Sequence, residues 1–408
     1  MSTEEQECER HFQKTHSRDE QGRYVVRLPF KDNTAKLGDS RRKAVQMIKS
    51  LSRKFASDPS YAQSYSEFIN EYEKLQHLKL VQENSINSES HHHYYLPHHG
   101  VVREHNLTTE LRVVFNGPSR TTTGVLLNDL LHTGAKLQVD LFDVLIWFRQ
   151  FCYVFFSDIE KMYRQIKVNS EYWNFQRILW INQSNDIITY QLTTVIYGLA
   201  CTPFLALRTL KQLVDDEGDK FPLAIQVLTK GRYVDDLFGG SDTIQQAQKI
   251  IKDVNQLYMA GGFPLQKWIS SHPSILQSIP TDKQITTSTL PIEENMTVHA
   301  LGLNWKPTTD TFHFTLQLPP TKKITKRSIL STIAKLFDPL GLLSPVIIKA
   351  KIIIQELWSV KLDWDDPLPS LISNRWTAFV EQLQEMPNLS FPRWLGYKSK
   401  SKSSLVRL

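Results

Sequence analysis

An α+β fold is what the sequence predicts, and three observations predict it. The continuous apolar run Cys152-Tyr153-Val154-Phe155-Phe156-Ser157 has the character of a buried strand and ends at Asp158. The stretch GRYVDDLFGG, 231–240, sets Asp235 and Asp236 side by side between apolar neighbours, as a tight hairpin would. Residues 242–260 carry Ile244, Ala247, Ile251, Val254 and Tyr258 on one helical stripe, with Ser241 as the expected cap and Gly261 as the stop. Buried strands, hairpins and amphipathic helices in one chain make the class α+β.

The elements follow in order. Residues 1–38 are polar and mixed in charge, which predicts a loose arm with one short strand over 24–28. Asp39-Ser40 can cap a helix with Ala44, Ile48, Leu51 and Phe55 on one face. Arg41, Arg42, Lys43, Lys49, Arg53 and Lys54 cover the other. Asp58-Pro59 starts a second helix, striped by Tyr61, Tyr65, Phe68, Tyr72 and Leu75. Both read as amphipathic support for a larger body, and the basic face of the first is also suited to touch nucleic acid.

Residues 84–93 read as a polar loop. Its histidines and their neighbours (His91, His92, His93, His98, His99) point in different directions on any backbone and lack a suitably spaced carboxylate or cysteine, so no structural metal is expected. A strand over 111–115, a turn-rich loop over 116–124 and a helix over 139–149 come next. A hairpin follows, from 172–181 and 187–192 around a polar turn. A glycine-containing turn leads into a helix within 197–216, and strands are expected at 265–269, 298–305 and 311–316.

Residues 321–361 hold eight basic and two acidic residues. Two helices, roughly 326–337 and 345–358, are joined there by DPLGLLSP, and such a pair suits a phosphate backbone. A solvated basic face is the plainer alternative. A further helix is expected near 371–386, and KSKSKSSLVRL, 398–408, reads as a disordered basic tail.

Composition bounds the rest. The 408 residues carry a formal charge of +6 with a pI near 9.0, compatible with a polyanionic partner. Three cysteines without a CxxC pair argue against a disulfide framework and against a cysteine zinc site. The polar, acidic N-terminus is no signal peptide, and no apolar stretch is long enough for a membrane span. The expectation is a protein that is not secreted and is cytoplasmic, with a virus-like particle or the nucleus as alternatives.

Three aspartates in apolar settings need compensation, because a buried unpaired charge is costly. Each alone is an ordinary turn or cap residue. Together, Asp158, Asp235 and Asp236 suit divalent cations, and two such ions can clamp the attacking and leaving oxygens of a phosphoryl displacement.

At this point the sequence resembles a known family. The stretches LRVVFNGPSRTTTGVLLNDLLHTG, FSDIEKMYRQIKV, TVIYGLACTPFLALRTL, RYVDDLFGG, GGFPLQKW, LGLNWKPTTDTFHF and TKRSILSTIAKLFDPLGLLSPVIIKAKIIIQELW occur in the order found in the polyprotein of Bel/Pao-type long-terminal-repeat retrotransposons. N-terminal to them, CERHFQKTHSRDEQGRYVVRLPF looks like the segment preceding that polymerase, so the resemblance spans roughly 5–395. It implies a right-hand polymerase of fingers, palm and thumb, the palm an antiparallel sheet backed by helices. The implied activity is RNA-directed DNA polymerisation (reverse transcriptase) with two Mg²⁺ ions, Mn²⁺ being an alternative.

The implied roles are specific. Asp158 resembles the first metal aspartate, with Ile159 offering its carbonyl; Asp235 and Asp236 are the hairpin pair. Tyr163 stands where an aromatic gate would exclude a ribose 2′-OH. Arg112 would grip the triphosphate, with Tyr197, Gly198 and Pro203 shaping the nucleotide turn. Lys267 would protonate the leaving pyrophosphate. Tyr233 and the primer-grip pair Leu301-Gly302 would touch primer and template, as would Lys322, Lys323, Lys326 and Arg327 of the thumb.

The implied division is an N-terminal arm and helical support (1–84), fingers and palm (85–320), a basic thumb (321–361), a helical extension (362–397) and the tail (398–408). The implied partners are a template with its primer and deoxynucleoside triphosphates, with no membrane. Asn116 departs from the acidic residue common in the VVFD pattern. The chain is expected to stop before any RNase H-like region and to lack protease and integrase. The competing expectations are an inactive nucleic-acid-binding remnant and, from the same carboxylates, a metal-dependent nuclease. The lack of a neighbouring general base and the gate tyrosine weigh against the nuclease.

Overall fold

The computed structural model describes residues 1–82, 93–102, 111–182, 184–285, 298–300, 303–314 and 323–396. Leu301, Gly302, Lys322, most of the polar histidine loop and the basic tail lie outside the described residues. The chain forms two compact units that interleave along the sequence. The first takes 1–138, 159–221 and 255–264; the second takes 139–158, 222–254 and 265–408. A division into consecutive segments therefore differs from the compact units.

In the first unit, α1 (Thr3–Thr15), α2 (Arg41–Ser57), α3 (Pro59–Lys74) and α5 (Thr202–Glu217) accompany three small sheets. Strands β1 (Ser17–Arg18), β2 (Tyr24–Val26) and β7 (Lys167–Val168) make one, in the order β1-β2-β7. Strands β3 (Leu78–Leu80), β9 (Ile187–Leu192) and β8 (Arg177–Ile181) make the second, and β4 (His98–Val102) pairs with β5 (Leu111–Phe115) in the third. The predicted hairpin is β8–β9, antiparallel with Ile181 opposite Ile187.

The predicted loose arm is not loose. Its first fifteen residues form α1, started by a capping box in which the Ser2 hydroxyl and Glu5 carboxylate satisfy each other's backbone N–H groups. Only Cys8 and Phe12 are buried on it, with Phe12 edge-on to Phe204 and the Glu9 carboxylate accepting from Arg208. Helices α2 and α3 lie where the sequence put them. Ala44, Ile48 and Leu51 are buried on α2, and Tyr61, Tyr65, Ile69 and Tyr72 on α3, while Leu75 is exposed. His98 is a core residue: its ring bonds the Tyr65 hydroxyl and the Leu179 carbonyl, and burial pushes its pKa down to about 4.

The second unit is built on two four-stranded sheets. One has the order β10 (Arg232–Tyr233), β11 (Asp236–Ser241), β6 (Tyr153–Ile159) and β12 (Leu265–Ser270). Helices α4 (Leu141–Arg149) and α6 (Ile225–Lys230) pack on its β10–β11 side. Helix α7 (Ile244–Ala260) runs from this unit into the first. Its start is held by the Thr243 hydroxyl, which accepts from Gln246 N–H; Ser241, the expected cap, is the last residue of β11.

The other sheet has the order β13 (Val298–Ala300), β14 (Leu303–Lys306), β15 (Thr311–His313) and β16 (Ser390–Pro392), all antiparallel neighbours. Helices α8 (Lys326–Ile333), α9 (Ser344–Ser359) and α10 (Ser370–Leu383) share one apolar core with both sheets, through Phe148, Phe238, Trp305, Ile353, Leu357 and Trp376. Helix α8 ends about a turn earlier than expected, where the Asp338 carboxylate takes the Leu342 and Leu343 N–H groups at 2.9 and 2.6 Å and fixes the turn into α9.

Candidate active site

Strand β6 is buried over Val154–Ser157 because both of its faces are covered, which explains the unbroken apolar run. It delivers Asp158 to a register directly opposite Asp236 on β11. Cross-strand partners share a face of the sheet, and like charges so placed repel. Tyr233 pairs with Asp236, so the hairpin loop is only Val234-Asp235. Val234 has φ +54°, the left-handed region that a β-branched residue strongly disfavours. A two-residue loop with positive φ at its first position normally uses glycine there. Strain of this kind gathers at functional sites when the surrounding structure enforces it.

The third element is β12. Regular alternation would send Gln266 and Lys267 to opposite faces, but Lys267 has φ +55° and interrupts the pleat as a bulge does. Both side chains then reach Asp158. Gln266 Nε2 donates to its Oδ1 at 3.2 Å, and Lys267 Nζ lies 3.7 Å from its Oδ2. Burial pushes the Asp236 carboxyl up to about 8, with the charges of Asp235 and Asp158 adding and Lys267 opposing. Burial also raises Asp158, against Lys267 and Gln266. The cluster carries more negative charge than its surroundings neutralise.

Among the described residues no three His, Cys, Asp or Glu side chains converge into a ready metal cage. Asp158 gives its oxygens to Gln266 and Lys267 instead. The donor chemistry nevertheless fits a hard divalent cation: oxygen ligands only, partly buried, with two carboxyls held toward their neutral forms chiefly by burial.

The residues assigned to the nucleotide fall in the first unit. Arg112 is exposed on β5, with its guanidinium carbon 5.0 Å from the Tyr197 ring centre. The Tyr197 ring meets Tyr163 edge-on at 4.6 Å. Arg112, Tyr197 and Tyr163 thus form one chain of contacts, which no sequence spacing announced. Gly198 has φ +97°, and a Cβ there would lie 2.4 Å from the Phe115 carbonyl oxygen. Asn128 clamps this turn from both sides: its Nδ2 donates to Gly198 O at 3.0 Å, and its Oδ1 accepts from Ala200 N–H at 2.9 Å. Sequence reasoning missed Asn128; the signal was the polar pair Asn128-Asp129 inside the leucine-rich stretch LLNDLL. Gly198→Ala is expected to cost roughly 1–3 kcal/mol in urea unfolding, and a cost near zero would show that the turn relaxes freely. Pro203 sits in the first turn of α5, where its missing N–H is not needed.

The basic helical pair needs correcting at one position, Lys326. Lys326 is 7% exposed, its ammonium 3.8 Å from the Trp358 ring centre and 5.6 Å from that of Trp364. Arg327 makes a two-pronged ion pair with Asp365, both bonds 2.9 Å. The first is buried by tryptophans distant in sequence and is not presented to a phosphate backbone; the second stays exposed at the surface beside Asp365. Lys323 is exposed.

Residues 325–408 match the family model described as the Pao retrotransposon-like RNaseH-like domain. The match supports a Bel/Pao retrotransposon origin for the chain. No curated protein matches it. The expectation that an RNase H-like region lies beyond this chain is corrected by the match, which covers most of the segment read as thumb and extension. Its described part, 325–396, consists of α8, α9, α10, a short 3₁₀ turn and β16. No helix among the described residues is long and apolar enough to cross a membrane.

Proposed function

We propose that this chain is the RNA-directed DNA polymerase core of a Bel/Pao-type retrotransposon, with Asp158, Asp235 and Asp236 as its catalytic carboxylates. The observation that carries the reading is the pairing of Asp158 with Asp236 across β6 and β11, with Asp235 in the strained turn beside them. Nothing in the packing of neighbouring antiparallel strands calls for two aspartates on facing registers. The ordered resemblance along the chain and the retrotransposon origin support the same reading.

Asp158, Asp235 and Asp236, with the Ile159 carbonyl, would hold the divalent cations. When bound, these supply the positive charge that acidifies a primer 3′-OH and stabilises a leaving pyrophosphate. Lys267, half-exposed beside Asp158, would neutralise charge on that cluster and give up a proton. Arg112 offers a planar, multidentate cation to a triphosphate, and the Tyr163 ring offers bulk against a 2′-hydroxyl. Positioning and fixed charge supply most of the rate enhancement in such a transfer.

Primer extension on poly(rA)/oligo(dT) with Mg²⁺ and dTTP tests the reading. The native chain is expected to extend the primer. Asp235→Asn/Asp236→Asn is expected to lose at least a thousandfold in rate while still binding the duplex. Binding without extension by either protein would replace this reading with that of an inactive nucleic-acid-binding remnant.

A further inference from the structure

From the exposed face of α2 we infer a second, sequence-independent binding surface for a nucleic-acid strand, separate from the aspartate cluster. Between Arg41 and Ser57 this helix has six basic residues and no acidic one. Arg42, Lys49 and Arg53 are exposed and follow one another at spacings of seven and four residues, so they line one helical face over about 16 Å. None of the three has an ion-pair or hydrogen-bond partner for its side chain among the described residues. A depression of about 400 Å³ runs beside them, walled by Asp39, Arg41, Arg42, Val45, Gln46 and Lys49.

The charges are also badly placed for the helix itself. Arg41, Arg42 and Lys43 occupy its first turn, next to the positive end of the helix dipole, where cations are unfavourable. Asp39 offsets part of this by accepting from the Arg41 N–H at 2.8 Å and the Arg42 N–H at 3.4 Å. A row of unpaired cations that begins in this unfavourable first turn suits a polyanion with regularly spaced charges.

Nucleic acid is favoured over an anionic membrane for a reason visible on the same helix. A helix lying on a bilayer must offer it an apolar face. The apolar face of α2, Ala44, Ile48 and Leu51, is buried within the protein. What remains outside is polar and cationic, as phosphate-backbone contact requires.

The test measures binding of fluorescein-labelled oligo(rA) to the full chain by anisotropy, in EDTA without nucleotide, between about 50 and 200 mM salt. Arg42→Ala/Lys49→Ala/Arg53→Ala is expected to weaken binding about tenfold or more and to lower the salt slope by about two. Arg42→Lys/Arg53→Lys should bind nearly as the native chain does, and Asp235→Asn/Asp236→Asn should bind at least as well. The surface therefore stands or falls apart from the polymerase reading. An unchanged affinity and slope in the triple variant would overturn the inference. So would selective loss of binding to phosphatidylserine vesicles with RNA binding intact. If circular dichroism shows the triple variant misfolded, Lys49→Glu and Arg53→Glu singly carry the same expectation, and native-like binding by both overturns it.

Discussion

Asp236→Asn is expected to stabilise the protein at pH 8 while abolishing nucleotide incorporation. Burial and the neighbouring Asp235 and Asp158 raise the Asp236 carboxyl from its ordinary 3.8 to about 8 in the folded chain. Below pH 3.8 the group is protonated in both folded and unfolded states and contributes no pH dependence. As the pH rises from about 4 to 8, the unfolded chain ionises freely and the folded chain resists, so stability falls; above 8 the loss is complete. Asparagine keeps the shape and removes the charge, so the gain over native should grow across that window to roughly 2–5 kcal/mol. Urea unfolding at pH 5 and pH 8 reads it directly. A gain equal at both values would mean that the Asp236 carboxyl is not raised in the folded chain. The same substitution removes a proposed metal ligand, which sets stability against activity at one position.

The other large effect belongs to Arg393→Met, expected to destabilise by roughly 3–5 kcal/mol. Arg393 is fully buried. Its guanidinium donates to both oxygens of Asp310 at 2.7 Å, to the Phe148 carbonyl at 2.7 Å and to the Cys152 carbonyl at 3.1 Å. Methionine fills similar space but strands a partly buried carboxylate and two carbonyls. Arg393→Lys should fall between, keeping the charge without the fork. Equilibrium unfolding with a loss under about 1 kcal/mol for methionine would show that water replaces the guanidinium easily.

How much of this was legible depends on how local each signal is. The strand ending at Asp158, the hairpin at 231–240 and helices α2, α3, α7 and α9 follow from short-range patterns, and the sequence carried them clearly. Helix α1 was missed because only Cys8 and Phe12 face inward, although Ser2 and Glu5 spelled a capping box. Lys326 read as a phosphate contact because Trp358 and Trp364, which bury it, lie 32 and 38 residues away. The left-handed Val234 and Lys267 had no glycine to announce them, and they set the geometry around the aspartates. No local pattern singled out Arg393, since its partners Phe148, Cys152 and Asp310 come from far earlier in the chain.

The strand β16 has a consequence for how such chains can be cut and recombined. The family match begins at 325, yet Phe391 of β16 pairs with Phe312 of β15, and Arg393 locks onto Asp310. Trp305 and Phe312, before the boundary, share a single core with Ile353, Leu357 and Trp376 after it. The matched segment and the folding module therefore have different edges. A piece excised at 325 would leave as an incomplete hydrophobic half, so exchange between elements at that point would have to bring the preceding hairpin along to yield a foldable product.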